Sequence, residues 1–187
     1  FTYRAAGINH LTWFTDMKID GKDVYPKLHD KLKESGFDKK EPISKQLYDI
    51  YGLYPAPGDR HVGEFFPYYM KEEVLMEQDY EWKNNAFKVV DGWREEARVL
   101  FDEVRTKKEG YEEFLKGSGE TATYFIRSLA TGDISDEMVN VINNGYIDNV
   151  SSGIIVELPT YIDEFGLHPQ KIGKLPDAIA AQCDRLG

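Results

Sequence analysis

Cysteine is nearly absent from the sequence, since Cys183 is the only one in 187 residues. A lone thiol cannot form a disulfide within the chain, and this usage fits a reducing compartment. Apolar runs are also short, and none approaches the roughly 18 residues of a membrane-spanning helix. The first residues have neither the basic nor the apolar segment of a secretory signal. We therefore expect a cytoplasmic protein without membrane contact.

Positive charge is scarce, because 33 acidic residues outnumber 23 basic ones and give a formal net charge of −10. This balance repels nucleic acid and anionic membranes, so neither is expected as a partner. No run of five or six like charges marks a disordered arm. With 41% hydrophobic residues, the chain can bury a sizeable core. Residues 1–187 are accordingly expected to form a single domain.

Common catalytic and nucleotide-binding motifs are missing as well. The sequence has no phosphate loop, no Gly-x-Gly-x-x-Gly fingerprint, no His-Glu-x-x-His pair, no Gly-x-Ser-x-Gly elbow and no Cys-x-x-Cys pair. Enzymes that are recognised by one such motif are therefore disfavoured. Any active site has to be sought in less familiar clusters of polar residues.

What is present begins with a helical repeat of apolar residues. A continuous stripe of period 3.6 predicts a helix from Trp82 to Arg105. A shorter stripe predicts a helix from Thr121 to Ala130, with Ile126 and Leu129 among its inward residues and Gly132 at its end. We expect both apolar stripes to pack on the core.

A repeat of period two predicts strands near residues 138–142 and 154–162. Asn144-Gly145 is a strong signal for a two-residue hairpin leading into a strand at 146–149. Because helices and antiparallel strands are segregated, the predicted fold class is α+β. The other predicted elements are a strand within 3–19 that turns at Asp20-Gly21, a helix after Asp23 that ends at Gly36, a helix capped by Ser44 and ended by Gly52, a rigid loop at 54–61, and a last helix from Asp177.

The first polar cluster is Asn9-His10, which emerges from an otherwise apolar strand. Neutral imidazole is a common ligand of transition metals, and a neighbouring amide can bind a ligand hydroxyl or orient the ring. The alternative is a hydrogen-bonded histidine of the core, and residue types alone favour that alternative. One histidine by itself does not make a metal site.

The second cluster is the run from Asp59 through Arg60 and His61 to Glu64, between a Pro-Ala-Pro segment and an aromatic run. Four ionisable side chains so close together could supply a general base, a cation and a hydrogen-bond partner. The alternative is a solvated loop in which Asp59 caps a turn and Arg60 pairs with Glu64. A functional role requires this cluster to share one cleft with Asn9-His10.

A third candidate is Asn144, in the run from Asn143 to Gly145. Hairpin chemistry accounts for Asn144-Gly145 without any function, so the structural interpretation is preferred at this position. His29 and His168 have the setting of ordinary surface histidines.

Four runs in the chain together resemble the C-terminal half of the NAD-dependent glycosidases of glycoside hydrolase family 4. The resemblance covers nearly all of the chain, and the Gly-Ile-Asn-His run with its following aromatics is its most specific part. The matching runs are Gly7-Ile8-Asn9-His10-Leu11-Thr12-Trp13-Phe14, the segment from Tyr51 to Glu64 with Gly58-Asp59-Arg60-His61, the segment from Asn143 to Asn149, and Val156-Glu157-Leu158-Pro159.

The resemblance implies a fold like the C-terminal domain of lactate and malate dehydrogenases. It implies NAD and a divalent metal, usually manganese, as cofactors, and α-glycosides as small-molecule substrates. Unlike glycosidases with two catalytic carboxylates, enzymes of this type oxidise the sugar at C3, remove the C2 proton, eliminate the glycosidic oxygen, add water and return the hydride. The metal would stabilise the enolate between C2 and C3.

The resemblance also implies roles for single residues. His10 matches the histidine that binds the metal, and Asp59 falls where these enzymes have the C2 base, which is often a tyrosine. Arg60 and His61 are expected to assist in catalysis. The residues expected to bind substrate are Asn9, Glu64 and Asn144.

The chain departs from the family in two ways. The family's metal-binding Cys-Asn-x-Pro run and its nucleotide-binding glycine loop are missing here, so no residue of this chain is expected to bind NAD. Both belong to an N-terminal Rossmann domain, and the chain is interpreted as a fragment truncated at both ends and inactive alone. The full protein is expected to be a homo-oligomer. The alternatives are a non-enzymatic carbohydrate-binding domain and an acidic helical interaction module that docks a partner on the stripe from Trp82 to Arg105.

Overall fold

The computed structural model describes residues 1–34, 41–71, 81–107, 112 and 121–187. Gly36, the predicted end of a helix, lies outside these ranges. The strands are β1 (Thr2–Ile8), β2 (Leu11–Ile19), β3 (Lys22–Asp23), β4 (Ser135–Ile142), β5 (Ile155–Asp163) and β6 (Gly166–Pro169). The helices are α1 (Tyr25–Lys33), α2 (Pro42–Tyr51), α3 (Asp59–Val62), α4 (Glu81–Lys107), α5 (Ala122–Thr131) and α6 (Asp177–Leu186), with 3₁₀ turns at Gly63–Phe65 and Pro67–Tyr69.

One six-stranded sheet organises the molecule, in the order β3-β2-β1-β5-β4, and β6 also pairs with β5. The strand pairs in this sheet are antiparallel. Helices separate and follow the two groups of strands, which confirms the predicted α+β class. The two middle strands, β1 and β5, come from opposite ends of the chain, so the sheet joins both ends into one body.

The hydrophobic core lies between one face of this sheet and the helices α2, α3 and α6. Alternate residues of the strands supply the sheet side, because successive side chains of a strand point to opposite faces. The buried residues are Ala6, Ile8, Leu11, Trp13, Val156 and Leu158 from the strands, with Ile43, Leu47, Val62, Phe66, Ile179, Ala180 and Cys183 from the helical side. This packing fixes α3, which carries the second polar cluster, against the end of β1.

The N-terminal strand region is a hairpin of two strands rather than the single strand predicted within 3–19. β1 and β2 are joined by a turn of only two residues, Asn9 and His10, and the predicted turn at Asp20-Gly21, between β2 and β3, is confirmed. The prediction missed the first turn because Asn9-His10 lies within an almost continuous β-prone sequence. The turn lifts both side chains to the surface of the domain.

The predicted hairpin at Asn144-Gly145 is wrong. β4 pairs over its whole length with β5, from Ser135 opposite Ile162 to Ile142 opposite Ile155, and the intervening residues 143–154 form a loop. The fully buried Asn143 organises this loop, since its side-chain amide donates to the carbonyls of Ile147 and Val150 and its oxygen accepts from the Ile147 N–H. These bonds satisfy a backbone that would otherwise lack strand partners.

The start of α2 also differs from the prediction. The helix begins at Pro42, so Ser44 lies inside its first turn and is not its N-cap. Proline has no N–H to lose at this position and its φ angle suits the helix, which explains the earlier start. The predicted end at Gly52 is confirmed, with a left-handed φ of 76°.

The two predicted amphipathic helices exist, but several of the apolar side chains described on them lie in solvent. On α4, Trp93 is 59% exposed and Phe101 is 60% exposed. On α5, Ile126 and Leu129 are exposed rather than inward, and Ser128 is the residue of that helix that is buried. Among the described residues, no helix combines the length and the apolar character that crossing a membrane requires.

Candidate active site

The two polar clusters of the sequence meet in the folded protein. The imidazole rings of His10 and His61 stack with their centroids 4.8 Å apart and their planes 28° from parallel. His10 belongs to the turn between β1 and β2, and His61 belongs to α3. Both side chains are exposed, so the pair is open to a ligand. This contact brings the two clusters side by side at the surface; a single cleft lined by both clusters stays a prediction.

A segment before α3 produces this meeting by running along β2. The Ala56 N–H donates to the Thr12 carbonyl at 2.8 Å, and the Phe14 N–H donates to the Tyr54 carbonyl at 3.0 Å. Pro55 forms a bridge with Trp13 between these two bonds. The backbone of residues 54–56 thus extends the sheet locally and delivers α3 beside the turn that carries His10.

Asp59 is buried, and its carboxylate caps the N-terminal end of α2. It accepts hydrogen bonds from the Ile43 N–H at 2.8 Å, from the Ser44 N–H at 2.7 Å and from the Ser44 hydroxyl at 2.6 Å. The first amides of a helix have no partner within the helix, and a carboxylate at that end also meets the positive end of the helix dipole. This geometry matches the capping alternative of the sequence analysis, with a helix rather than a turn as the capped element, and leaves the assignment of Asp59 as the C2 base without geometric support.

Glu41, the residue that precedes α2, lies next to Asp59. Its carboxylate accepts a hydrogen bond from the Asp59 N–H at 2.8 Å. Burial raises the pKa of Glu41, and the neighbouring carboxyl of Asp59 raises this pKa further through its charge. Two carboxylates therefore tie α3, which carries His61, to the start of α2 and hold it in a defined position.

The remaining predicted site residues are Arg60, Glu64 and Asn144. Arg60 is half-buried on α3, and Glu64 is exposed in the following 3₁₀ turn. In the described part of the chain they form no ion pair with each other, so the predicted pairing of a solvated loop is wrong. Asn144 is exposed in the loop 143–154 and is not one of the residues that line the cavity beside the turn.

A cavity of about 390 Å³ opens next to the turn between β1 and β2. Asn9 contributes a polar group to its wall, and Phe65, the neighbour of Glu64, contributes an aromatic one. Its other lining residues are Ile8, Asn140, Ile155, Leu186 and Gly187. A mixed wall of apolar surface and amide groups is typical of sites for small polar molecules.

Glu157 is not among the residues that the sequence predicted for the site. It lies half-buried on β5, directly opposite Gly7 of β1. Burial raises the pKa of Glu157, whereas the charge of His10 and a hydrogen bond from the Thr12 side chain lower it in part. A charged residue between the buried Val156 and Leu158 was the available signal, because such a position is costly unless the charge has a partner.

The described residues include no group of three His, Cys, Asp or Glu side chains close enough to hold a metal ion. His10 offers one exposed imidazole, with the amide of Asn9 beside it and the Glu157 carboxyl within electrostatic range. This set can supply one ligand and its support. A metal ion bound at His10 requires further ligands from outside the described residues.

A family model described as the C-terminal domain of family 4 glycosyl hydrolases matches residues 5–186. The chain belongs to this family. The family 4 domain is also similar in sequence to the alpha-galactosidase of Bacillus subtilis (strain 168), with 29% identity over 95% of this chain and 41% of that protein. It is 32% identical to the alpha-galacturonidase of Thermoanaerobacterium saccharolyticum over 92% of this chain and 40% of that protein. The chain thus spans about two fifths of the length of these relatives.

Solved structures share the fold of this family 4 domain. The crystal structure of a proposed glucosidase, lplD, from Bacillus subtilis covers 98% of the chain with a TM-score of 0.77 and 26% identity, and the match spans 45% of that protein. The 6-phospho-beta glucosidase of Thermotoga maritima, crystallised with manganese, NAD⁺ and glucose-6-phosphate, covers 97% of the chain with a TM-score of 0.64 and 24% identity, over 42% of its own length. These matches confirm the predicted fold.

Proposed function

We propose that this family 4 domain forms part of the active site of an enzyme that hydrolyses α-glycosides with NAD and a divalent metal. The supporting observation is the contact between His10 and His61 beside a cavity of about 390 Å³. Family membership supports glycoside hydrolysis as the general reaction. We further propose that the reaction proceeds by oxidation of the sugar at C3, elimination, addition of water and reduction. The proposed location of the enzyme is the cytoplasm.

In this proposal His10 is the residue of the chain that binds the metal, manganese in the favoured case. Its imidazole is exposed at a tight turn, where a ring nitrogen is accessible to an ion. When bound, the metal would act as a Lewis acid toward the sugar hydroxyls. Asn9, which lines the cavity, and Glu64 would bind sugar hydroxyls through hydrogen bonds.

The proton at C2 needs a base within reach of the metal-bound sugar. Asp59 is unsuited to this task because its carboxylate is buried and occupied by α2. His61 lies on the same short helix α3, is exposed and contacts His10. We therefore assign the proton transfer to His61 and charge stabilisation to Arg60.

The proposed substrates are unphosphorylated α-galactosides or α-galacturonides. The relatives that the chain resembles include an alpha-galactosidase and an alpha-galacturonidase, which supports this choice. The chain is also similar in sequence to a phosphoglycosidase, since a Thermotoga maritima 6-phospho-beta-glucosidase is 29% identical over 90% of the chain. Parallel assays with both classes of substrate separate these possibilities.

The test uses the natural full-length protein with aryl α-galactosides and α-galacturonides. We expect hydrolysis that requires both NAD⁺ and Mn²⁺, and we expect His10→Ala to lower kcat/KM at least about a hundredfold because a metal ligand is lost. His168→Ala, which removes an exposed histidine paired with Asp163, is the matched control and should retain full activity. Hydrolysis that proceeds without either cofactor would contradict the proposal.

A second candidate function is protein association through α4. The interaction hypothesis required that this helix not be buried within its own domain, and Trp93 and Phe101 on one face of it are largely exposed. Residues eight positions apart lie on the same side of a helix. We propose a second copy of the same protein as the partner, which agrees with the homo-oligomer expected from the family resemblance.

A further inference from the structure

A hydrogen bond joins two segments that line the cavity beside the turn between β1 and β2. The guanidinium of Arg185, near the end of α6, donates from Nη2 to the backbone carbonyl of Phe65 at 3.1 Å. Phe65 lines this cavity, and so does Leu186, the residue that follows Arg185. The bond therefore connects two parts of one cavity wall that are 120 residues apart in the chain.

The guanidinium of Arg185 is also held by its own helix. Its Nε and Nη2 atoms donate to Oε1 of Gln182, one turn earlier on α6, at 3.1 and 2.9 Å. Residues three positions apart are neighbours on a helix surface, and the planar guanidinium loses little freedom for each hydrogen bond that it forms. Phe65 thus receives a fixed and positively charged donor, which makes a stronger hydrogen bond than a neutral one.

No carboxylate competes for Arg185 within the described ranges, where this arginine forms no ion pair. Asp184 is its direct neighbour, but the carboxylate of Asp184 accepts a hydrogen bond from the Ser151 N–H at 2.8 Å. The Phe65 carbonyl is therefore the group that Arg185 contacts outside α6. Holding this carbonyl is the task to which the geometry of Arg185 is suited.

The segment held by Arg185 is the 3₁₀ turn Gly63–Phe65. Its backbone is closed by the bond from the Phe66 N–H to the Gly63 carbonyl at 3.2 Å. Short 3₁₀ turns have poorer hydrogen-bond geometry than α-helices, so a bond from outside has a larger effect on their position. The turn includes Glu64, which is proposed to bind sugar hydroxyls, and the side chain of Phe65 packs against the hydrophobic core.

We propose that Arg185 is a positioning residue that fixes Phe65 in the cavity wall and thereby sets the shape that the sugar meets. This inference rests on the proposed function, since it takes the cavity as part of the sugar-binding site. Arg185 does not touch the sugar in this arrangement and acts through Phe65 and the preceding Glu64. Because the wall contacts the sugar before and during the reaction, its displacement weakens binding and leaves the chemical step unchanged.

The test measures KM and kcat of the natural full-length protein with NAD⁺, Mn²⁺ and the aryl α-galactoside or α-galacturonide that it cleaves. We expect Arg185→Gln, which removes the charge and the guanidinium fork, to raise KM about five- to tenfold while kcat changes by less than about twofold. Arg185→Lys, which can still donate to the Phe65 carbonyl, should recover part of this loss. Arg127→Gln, at an exposed arginine of α5 that pairs with Asp133, is the matched control and should leave KM unchanged.

A second measurement separates this inference from the proposed function. Isothermal titration calorimetry gives the Kd for galactose or galacturonic acid without turnover, and Arg185→Gln should raise this Kd by the same factor as KM. If the parent shows cofactor-dependent hydrolysis and Arg185→Gln leaves KM and Kd unchanged, the positioning role is wrong and the proposed function stands. If the parent neither cleaves the glycosides nor binds the sugars, both fail. A lower Tm of Arg185→Gln with an unchanged KM would reveal a purely structural bond and would overturn the inference as well.

Discussion

Asp59 brings a carboxylate into the interior of the domain, and three hydrogen bonds from the first turn of α2 compensate for its lost hydration. Bonds of this kind to a charged group contribute about 1.5–3 kcal/mol each, and helix caps contribute about 1 kcal/mol. We therefore expect Asp59→Ala to lower the free energy of unfolding by about 2–4 kcal/mol. Urea denaturation of the metal-free protein measures this change.

A surface carboxylate of the same helix provides the control for this prediction. Asp49 pairs with Lys45 one turn away, and Asp49 is exposed, so Asp49→Ala should change the stability by less than about 0.5 kcal/mol. Asp59→Asn should retain exchange of the C2 proton of the sugar in the folded enzyme. Loss of that exchange at unchanged stability would restore the role of base to Asp59.

The sequence left both roles of Asp59 open for a physical reason. Its carboxylate caps a helix that begins well before it in the chain, so neither the local spacing nor residue types could identify the partner. The same holds for His10, where composition alone favoured a buried core histidine. Exposure and the contact with His61 became visible only once the turn at Asn9-His10 was seen.

The helix α6 closes the core from the helical side through Ile179, Ala180 and Cys183, which are spaced to lie on one face. Burial raises the pKa of the Cys183 thiol to about 11. At pH 8 the folded state therefore holds Cys183 as an unreactive thiol, whereas the unfolded chain exposes it with an ordinary pKa. We expect its reaction with an aromatic disulfide reagent to be at least about a thousandfold slower in the folded protein, equivalent to an opening cost of about 4 kcal/mol.

A cysteine on the outer face of the same helix is the matched control. Ala181 is exposed, so Ala181→Cys in a Cys183→Ala background should react at the rate of a free thiol. Equal rates for Cys183 and this control in the folded protein would show that α6 is not docked on the sheet.

Helices and strands differed in how well the sequence predicted them. The stripe from Trp82 to Arg105 predicted α4 to within two residues at each end, because a long period of 3.6 has no competing interpretation. The hairpin at Asn144-Gly145 failed because the β-prone residues 146–149 imitate a strand. In the folded chain they belong to a loop held by the buried Asn143, and a side chain bonded to backbone several residues away leaves no periodic signal.

At the scale of the molecule, the sequence predicted the α+β class and both clusters, but it did not reveal how the clusters meet. The clusters meet because backbone hydrogen bonds join β2 to residues 54–56, from Phe14 to Tyr54 and from Ala56 to Thr12. Any residue types could make such backbone contacts. The meeting of the clusters also depends on pairing β1 with β5 through Gly7 and Glu157. Such long-range pairing is decided by the whole fold and is invisible in local patterns.

The exposed face of α4 carries a prediction for the assembled protein. Trp93 and Phe101 are large aromatic residues in solvent, and aromatic residues at the centre of an interface typically contribute about 2 kcal/mol or more, which corresponds to about thirtyfold in Kd. We expect the natural full-length protein to self-associate, and Trp93→Glu with Phe101→Glu to weaken this association at least about thirtyfold. Because the chain carries a net charge of −10, added salt should strengthen association by screening repulsion.

Analytical ultracentrifugation at low and high salt measures this association. Tyr124→Glu is the matched control, since Tyr124 is a similarly exposed aromatic residue on α5. All of these variants should retain the unfolding free energy of the parent within about 0.5 kcal/mol, because exposed side chains contribute little to the core. Trp13→Ala, which removes a fully buried side chain, should instead lower the free energy of unfolding by about 3–5 kcal/mol. An unchanged mass for the Trp93→Glu and Phe101→Glu protein would show that α4 is not the interface.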